Sequence, residues 1–394
     1  MNKKALVAIG YNNGNGIKRL LYSLENAYYG NDTVTLIISI DKSDSNEVEK
    51  IAELFHWSHG EKKIRTFSER QGLRKHILSC GDFFDQYDSL FIFEDDIVVS
   101  PYFYEYGKKC INYYWGRPAV EGISLYSHKW NQNANFPFEP IKKEFDTYYA
   151  QYAPSWGQIW FRETWMNFME WYGENQNIFE DKYNPEIPYN LYQWGKNSWL
   201  KYYIAYCALK KRYFVYPYFS YTTAFVTKST HFINDITRYQ VSLAFGKTDN
   251  IRLAPFDENA VYYDAFFENI DLGKKIDCEK YNVCIDLYGT KRNYSEFSYI
   301  LSTQILPYKV RKKYSLQFWP VDMNIIMSEQ EGEGIYLYDT QWTEKVKWKK
   351  KNEQIVRKWN YFMRDRFLTV EEIWPVCSQK IQNLLRIIVR KGNY

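Results

Sequence analysis

Apolar positions in the first hundred residues alternate between two periods. The run Ala5-Leu6-Val7-Ala8-Ile9-Gly10 is continuous and closes on the glycine- and asparagine-rich stretch Tyr11 to Gly16. Ile17, Leu20, Leu21 and Leu24 then recur at three- and four-residue intervals, the spacing of one helix face. Val34 to Ile40 is β-branched and reads as a second strand, ending at Asp41. Val48, Ile51, Ala52 and Phe55 share a face of a helix expected over 46–55. Ile64 to Phe67 is a short strand, 72–84 a helix, and Ser89 to Phe93 a buried strand. Strands alternating with helices predict an α/β domain with a largely parallel sheet. Ligands of such sheets bind beyond the carboxyl ends of the strands. Three strand ends should therefore meet in one crevice: Gly10-Tyr11-Asn12, Asp41, and Glu94-Asp95-Asp96.

Further along, the pattern loosens. Residues 101–245 are rich in aromatics, with Ser155-Trp156-Gly157-Gln158 leading into a helix through Trp165. A second helix is expected over 198–211 and a strand over Tyr213 to Tyr218. Past residue 250 the alternation is lost, although 283–287 and 335–338 look like strands. A division near 246 gives an α/β domain, 1–245, and an α+β extension, 246–394, of unassigned role. The tail places Ile381, Leu384, Leu385, Ile387 and Ile388 among Lys380, Arg386, Arg390 and Lys391. Such a basic amphipathic segment suits either a terminal helix packed on its own domain or peripheral contact with an anionic membrane.

Composition narrows the class. The chain has 394 residues, enough for two domains. Lysine and arginine total 51 against 47 acids, a net charge of +4 that does not point to nucleic acid. Thirty-eight tyrosines and 14 tryptophans exceed an ordinary core, so many are expected at surfaces that meet sugars, proteins or headgroups. None of the six cysteines forms a C-x-x-C pair, which sets aside a zinc or dithiol motif and suits reduced thiols in a cytoplasmic protein. The N-terminal apolar run is too short for a signal peptide, and no run of about 18 apolar residues is present to span a membrane.

The strongest chemical feature is Leu90-Phe91-Ile92-Phe93-Glu94-Asp95-Asp96-Ile97-Val98-Val99. Three adjacent carboxylates at the end of a buried strand repel one another and lose hydration. A hard divalent cation, Mn²⁺ or Mg²⁺, offsets that cost and itself takes one or two carboxylates plus substrate phosphates. A solvated acidic turn is the plain alternative. Arg70 and Arg74 flank Gly72 just before a helix, where guanidinium and helix N-terminus both favour a diphosphate. A basic first turn in solvent is the alternative there. Asp41 is placed to accept from a ribose or uracil, or simply to form a turn. His231 is a candidate metal ligand and Lys228 a candidate phosphate contact, against a structural histidine. Gly14-x-Gly16 lacks the full dinucleotide fingerprint.

Residues 91–103, Phe-Ile-Phe-Glu-Asp-Asp-Ile-Val-Val-Ser-Pro-Tyr-Phe, resemble glycosyltransferases of the GT-A fold, above all the N-acetylglucosaminyltransferase I type and bacterial polysaccharide-building relatives. The likeness extends to Ser155–Trp165 and loosely covers 3–235. It implies a Rossmann-like nucleotide-sugar domain, with Asp96 as direct metal ligand and Glu94 and Asp95 on the donor sugar or ribose. Asp41 would meet the uridine, Ile9, Gly10 and Tyr11 would border the base, and Arg70 or Arg74 would meet the diphosphate. Inverting members place a base between tryptophans after the Trp165-type helix. The comparable segment here, Trp194 to Trp199, has no acid, so Glu180 and Asp181 are the candidates. The resemblance thus implies a metal-assisted hexosyl- or N-acetylhexosaminyltransferase using a UDP-sugar on a glycan or lipid-linked acceptor. A nucleotidyltransferase and a non-catalytic carbohydrate-binding protein are the alternatives.

Overall fold

The computed structural model describes residues 2–225, 237–276, 282–327 and 331–364, together with Trp374, Ser378 and Ile381. Its first half runs β1 (Lys4–Gly10), α1 (Gly14–Glu25), β2 (Thr35–Ile40), α2 (Glu47–Leu54), β3 (Lys62–Thr66), α3 (Leu73–Ser79), β4 (Ser89–Glu94), β5 (Ile97–Val99), α4 (Phe103–Tyr114) and β6 (Val120–Ser124). There follow a small ribbon of β7 (Trp130–Asn131) and β8 (Phe136–Pro137), then β9 (Thr147–Ala150), β10 (Gln158–Phe161), α5 (Arg162–Glu174), α6 (Leu200–Lys210), β11 (Tyr213–Pro217), β12 (Thr222–Ala224) and β13 (Tyr262–Tyr263).

Nine of these strands form one sheet in the order β13-β9-β11-β6-β10-β4-β1-β2-β3. The chain is therefore mixed α/β, as its alternation predicts. β3, β2, β1 and β4 are all parallel, the order of a Rossmann-type half. β10 then runs antiparallel between β4 and β6, and β11 is again parallel to β6. Both faces are covered, so the central strands are apolar throughout rather than alternating. Ala5, Val7 and Ile9 pack with Ile77, Trp165, Phe168 and Tyr203 on the face of α3, α5 and α6. Leu6 and Ala8 pack with Leu20, Val48 and Phe103 on the face of α1, α2 and α4.

The helix expected over 72–84 divides. α3 ends at Ser79, and Cys80–Asp85 continues as a tighter 3₁₀ turn. Gly81 lies under the Trp165 ring, where any Cβ would collide with the indole. The aromatic excess also goes inward: among the described residues 22 tyrosines are buried, of 38 in the chain. Many of their hydroxyls donate to backbone carbonyls, Tyr29 to Leu24 at 2.8 Å and Tyr149 to Ala254 at 2.8 Å, whereas those of Tyr106, Tyr148 and Tyr203 are buried without a partner. A tyrosine whose hydroxyl reaches a backbone acceptor serves as a large core residue. The four described cysteines, Cys80, Cys110, Cys207 and Cys284, are buried and free.

The remaining described elements are α7 (Leu272–Lys275), β14 (Val283–Asp286), β15 (Tyr299–Ser302), β16 (Tyr308–Ser315), α8 (Met323–Ile326), β17 (Gly334–Thr343) and α9 (Trp348–Met363). β14, β15, β17 and β16 make a separate four-stranded sheet. β13 pairs with β9, so the large sheet takes its outermost strand from beyond residue 246. Among the described residues no helix is long and apolar enough to cross a membrane. The basic tail segment, 380–391, lies outside the described residues except for Ile381.

Candidate active site

Topology brings several loops to one edge of the large sheet. β1, β2, β3, β4, β6 and β11 are parallel, so the segments after Gly10, Ile40, Thr66, Glu94, Ser124 and Pro217 emerge on the same side. β10 is antiparallel, so Trp156 and Gly157 enter it from that side, α5 runs back towards it, and the 175–199 connection returns there. The three expected strand ends do meet at this edge, and Glu180 and Asp181 are delivered to it from the far side of α5.

The acidic turn is held on three sides. Gly16 opens α1 against it: a Cβ there would sit 2.5 Å from the Asp95 carbonyl oxygen. Asn13 caps α1 by accepting from the Gly16 N–H at 2.9 Å, and its amide reaches Asp95 Oδ1 at 3.5 Å. The Tyr11 N–H also points to the Asp95 carboxylate. On the other flank β12 pairs antiparallel with β5, and the Phe225 N–H donates to the Asp96 carbonyl at 2.6 Å. The Arg19 guanidinium lies 4.4 Å from the centre of the Phe225 ring.

Electrostatically the cluster is costly. Burial, with the charges of Asp96 and then Asp95 added, pushes the Glu94 carboxyl well above its usual range, against a hydrogen bond with Trp199. Burial and the Asp96 charge push Asp95 up to about 7. Burial likewise raises Asp96 to about 6, while its own N–H and the nearby Arg19 charge hold it down. Asp96 Oδ1 is buried and has no hydrogen-bond partner. An unpaired carboxylate oxygen beside two more acids fits a site that takes a cation. Among the described residues no three His, Cys, Asp or Glu side chains converge as metal ligands.

Asp41 is buried and is engaged by its own backbone surroundings. Its Oδ1 accepts from the Gln71 N–H at 2.7 Å and the Lys42 N–H at 2.8 Å, and its Oδ2 from the Gly72 N–H at 2.8 Å. The carboxylate ties the 69–72 loop to the end of β2. Gly72 has φ +73°, a left-handed conformation that turns its N–H to Asp41 before α3 begins. The two arginines of this loop part company. Arg70 lies over the Tyr11 ring at 5.0 Å, at the end of β1. Arg74 instead donates to the Tyr202 hydroxyl at 2.9 Å and faces α6. Glu180 and Asp181 are exposed on the loop after α5, and the Glu180 charge acts on Lys201, which the Arg74 charge also reaches. Ile9 and Gly10 are buried at the end of β1. Lys228 and His231 lie outside the described residues.

Asn13, Arg19, Trp199 and Phe225 were not expected here. The asparagine had a local signal, since Asn followed by a helical pattern is a cap. Trp199 stands where the sequence lacks an acid, and its indole bonds to Glu94 across the crevice from α6. Nothing local marks Arg19 or Phe225.

The close approach at Gly16 makes a direct prediction. Gly16→Ala should cost about 1–3 kcal/mol through overpacking against the Asp95 carbonyl. It should also displace the acidic turn, lowering both the melting temperature and affinity for a nucleotide with Mn²⁺. Unchanged values for both would show that the turn is free to move away.

No protein-family model and no curated protein matches the chain. Similar solved structures include residues 1–349 of S. aureus TarS in complex with UDP, at 14% identity over 57% of this chain and 61% of that one, with a TM-score of 0.36. The mannosyltransferase PcManGT from Pyrobaculum calidifontis, in complex with GDP-Man and Mn²⁺, is 14% identical over 44% of this chain and 47% of that one, with a TM-score of 0.32. GalNAc-T7 with UDP, GalNAc and Mn²⁺ is 13% identical over 55% and 43%, with a TM-score of 0.38. The chain spans less than two thirds of the length of each.

Proposed function

We propose that this chain transfers a sugar from a UDP-sugar to a hydroxyl of a glycan or lipid-linked acceptor, assisted by Mn²⁺ or Mg²⁺, in bacterial surface polysaccharide synthesis. The single observation that carries this is the buried, unpartnered Asp96 Oδ1 at the carboxyl end of β4, beside Glu94 and Asp95. The GT-A resemblance of residues 91–103 supports it.

The chain's own residues divide the work. Asp96 holds the cation, which when bound offsets the charge growing on the departing diphosphate. Arg70, held over Tyr11, is the arginine at the nucleotide end of the crevice and suits the diphosphate. Tyr11 and Gly10 border the base. Asp41 contributes by fixing the loop that carries Arg70, whether or not the uridine also reaches it. Glu94 and Asp95 face the donor sugar or ribose, with the Trp199 indole limiting how Glu94 turns. Glu180 or Asp181 removes the acceptor proton in an inverting transfer, since a base must come within hydrogen-bond reach of the attacking hydroxyl. Lys228 and His231 are proposed to add a phosphate contact and a metal ligand. The acceptor belongs to the cytoplasmic face, and residues 246–394 are its proposed binding or anchoring region.

Metal and nucleotide should bind together. UDP with Mn²⁺ should raise the melting temperature by far more than either alone. A ligand at a hundred times its Kd stabilises by about 2.7 kcal/mol. EDTA should stop transfer and Mn²⁺ restore it. A nucleotidyltransferase would release pyrophosphate instead of UDP from the same incubation. A simple carbohydrate binder would show no metal-dependent affinity for UDP, and either result would overturn the assignment.

A further inference from the structure

A group of exposed apolar side chains lies far along the chain from the acidic turn. α9 packs on the β7–β8 ribbon and on the second sheet: Phe362 stacks on Phe136 of β8 at 4.7 Å, and the Gln354 amide donates to the Thr303 and Gly334 carbonyls. A stripe adjoining the docked residues is open. Trp348 is 73% exposed, Ile355 58% and Trp359 49%, with Val356 and Met363 beside them. At 3.6 residues per turn these five fall within about 100° of the helix circumference. Just before it, Trp342 is 57% exposed at the end of β17. Lys345, Lys347, Lys349, Lys350 and Lys351 surround Trp348, all exposed, with no carboxylate from 345 to 351.

We propose that this face docks on an anionic phospholipid bilayer, with α9 lying in the interfacial plane. Trp348, Ile355 and Trp359 would sit below the headgroups and the lysines among them. Charge and shape together select this occupant. A second copy would set each lysine cluster against the other or, paired antiparallel, against a 354–364 segment that holds Arg357 and Arg364 and no carboxylate. A nucleic acid or acidic glycan would satisfy the lysines but leave Ile355, Val356 and Met363 in water. A bilayer carrying anionic lipid offers both an apolar layer and negative charge, and tryptophan favours the boundary between them. The inference rests on the anchoring role proposed for 246–394 and not on the transfer chemistry, which UDP and Mn²⁺ binding tests separately.

The test is co-sedimentation of the full chain with phosphatidylcholine vesicles, with and without phosphatidylglycerol. Binding is expected on the anionic vesicles, weak on the neutral ones, and falling as salt rises. Replacing the five lysines by glutamine should weaken binding by at least about tenfold. Trp348→Ser with Ile355→Ser and Trp359→Ser should do the same by removing inserted apolar area. Both sets change exposed side chains, so melting temperatures should hold; if one set destabilises the fold, the other decides. No binding to anionic vesicles overturns the proposal. So does parental affinity in a stably folded variant of either set. Loss of binding only when Lys380, Arg386, Arg390 and Lys391 become glutamine would place the contact in the tail and overturn it equally. Concentration-dependent dimerisation abolished by Trp348→Ser, without vesicle binding, would assign the face to a second copy.

Discussion

Asp96→Ala is expected to lower turnover by about a thousandfold or more while leaving the fold at least as stable as before. The two effects have opposite signs because the same carboxylate carries both. Without a cation, Asp96 adds negative charge beside Glu94 and Asp95 and raises the pKa of each. Its Oδ1 meets no donor in return. Deleting it removes a repulsion and loses no side-chain hydrogen bond of that oxygen. Turnover, however, loses the anchor of the cation, and losing even one well-placed stabiliser of transition-state charge costs about 10²–10³. Asp96→Asn keeps the shape and should fail nearly as badly, which separates lost charge from a lost contact. Wild-type turnover in either variant, with Mn²⁺ supplied, would sink the role of Asp96.

The same cluster sets a pH dependence for metal affinity. Burial holds Asp95 near 7 and Asp96 near 6 in the metal-free protein, so both take up protons as pH falls through that range. A cation binding there must displace them. Mn²⁺ should therefore release protons at about pH 6 and bind more weakly there than at about pH 8. For stability the sign is reversed. A carboxyl raised above its unfolded value favours the folded state when protonated, so this contribution grows as pH falls from about 7 towards 4 and is lost as pH rises.

What could be read from the sequence follows the range of the forces involved. β1, β2 and β4 are apolar throughout because both of their faces are covered, and a continuous apolar run announces that without any partner being known. The carboxylates at the end of β4 were legible for the same reason, since charge is out of place beside Phe91 and Phe93. The antiparallel entry of β10 between β4 and β6 was not legible, because no residue within 158–161 encodes which neighbours it pairs with. That insertion brings Trp156 and Gly157 to the site edge. Arg70 and Arg74 looked equivalent as neighbours of Gly72. They separate because Arg70 precedes the turn at Gly72 and Arg74 is the second residue of α3, facing Tyr202. The tyrosines misled because their hydroxyls suggest a surface, whereas buried carbonyls such as those of Leu24 and Ala254 receive them.

Asp41→Ala should be the most damaging change that touches neither metal nor acceptor. The wild-type carboxylate accepts three N–H groups, from Lys42, Gln71 and Gly72. Alanine leaves the Gln71 and Gly72 donors without it, and a stranded donor costs about 1–3 kcal/mol when water cannot replace the partner. Both residues are only partly buried, so water should recover some of that, and a loss of about 2–4 kcal/mol is expected in denaturant unfolding. The functional consequence is larger than the thermodynamic one. Gly72 holds its left-handed turn because Asp41 receives its N–H, and that turn fixes where Arg70 leaves the loop. With the tie cut, Arg70 must be ordered by the donor each time it binds. KM for the nucleotide-sugar should rise, with kcat much less affected. Asp41→Asn retains one acceptor oxygen and should fall between wild type and alanine on both measures. A uridine contact alone would predict a raised KM with unfolding stability unchanged, so parental stability in Asp41→Ala would rule out the loop tie and leave direct recognition as the role of Asp41.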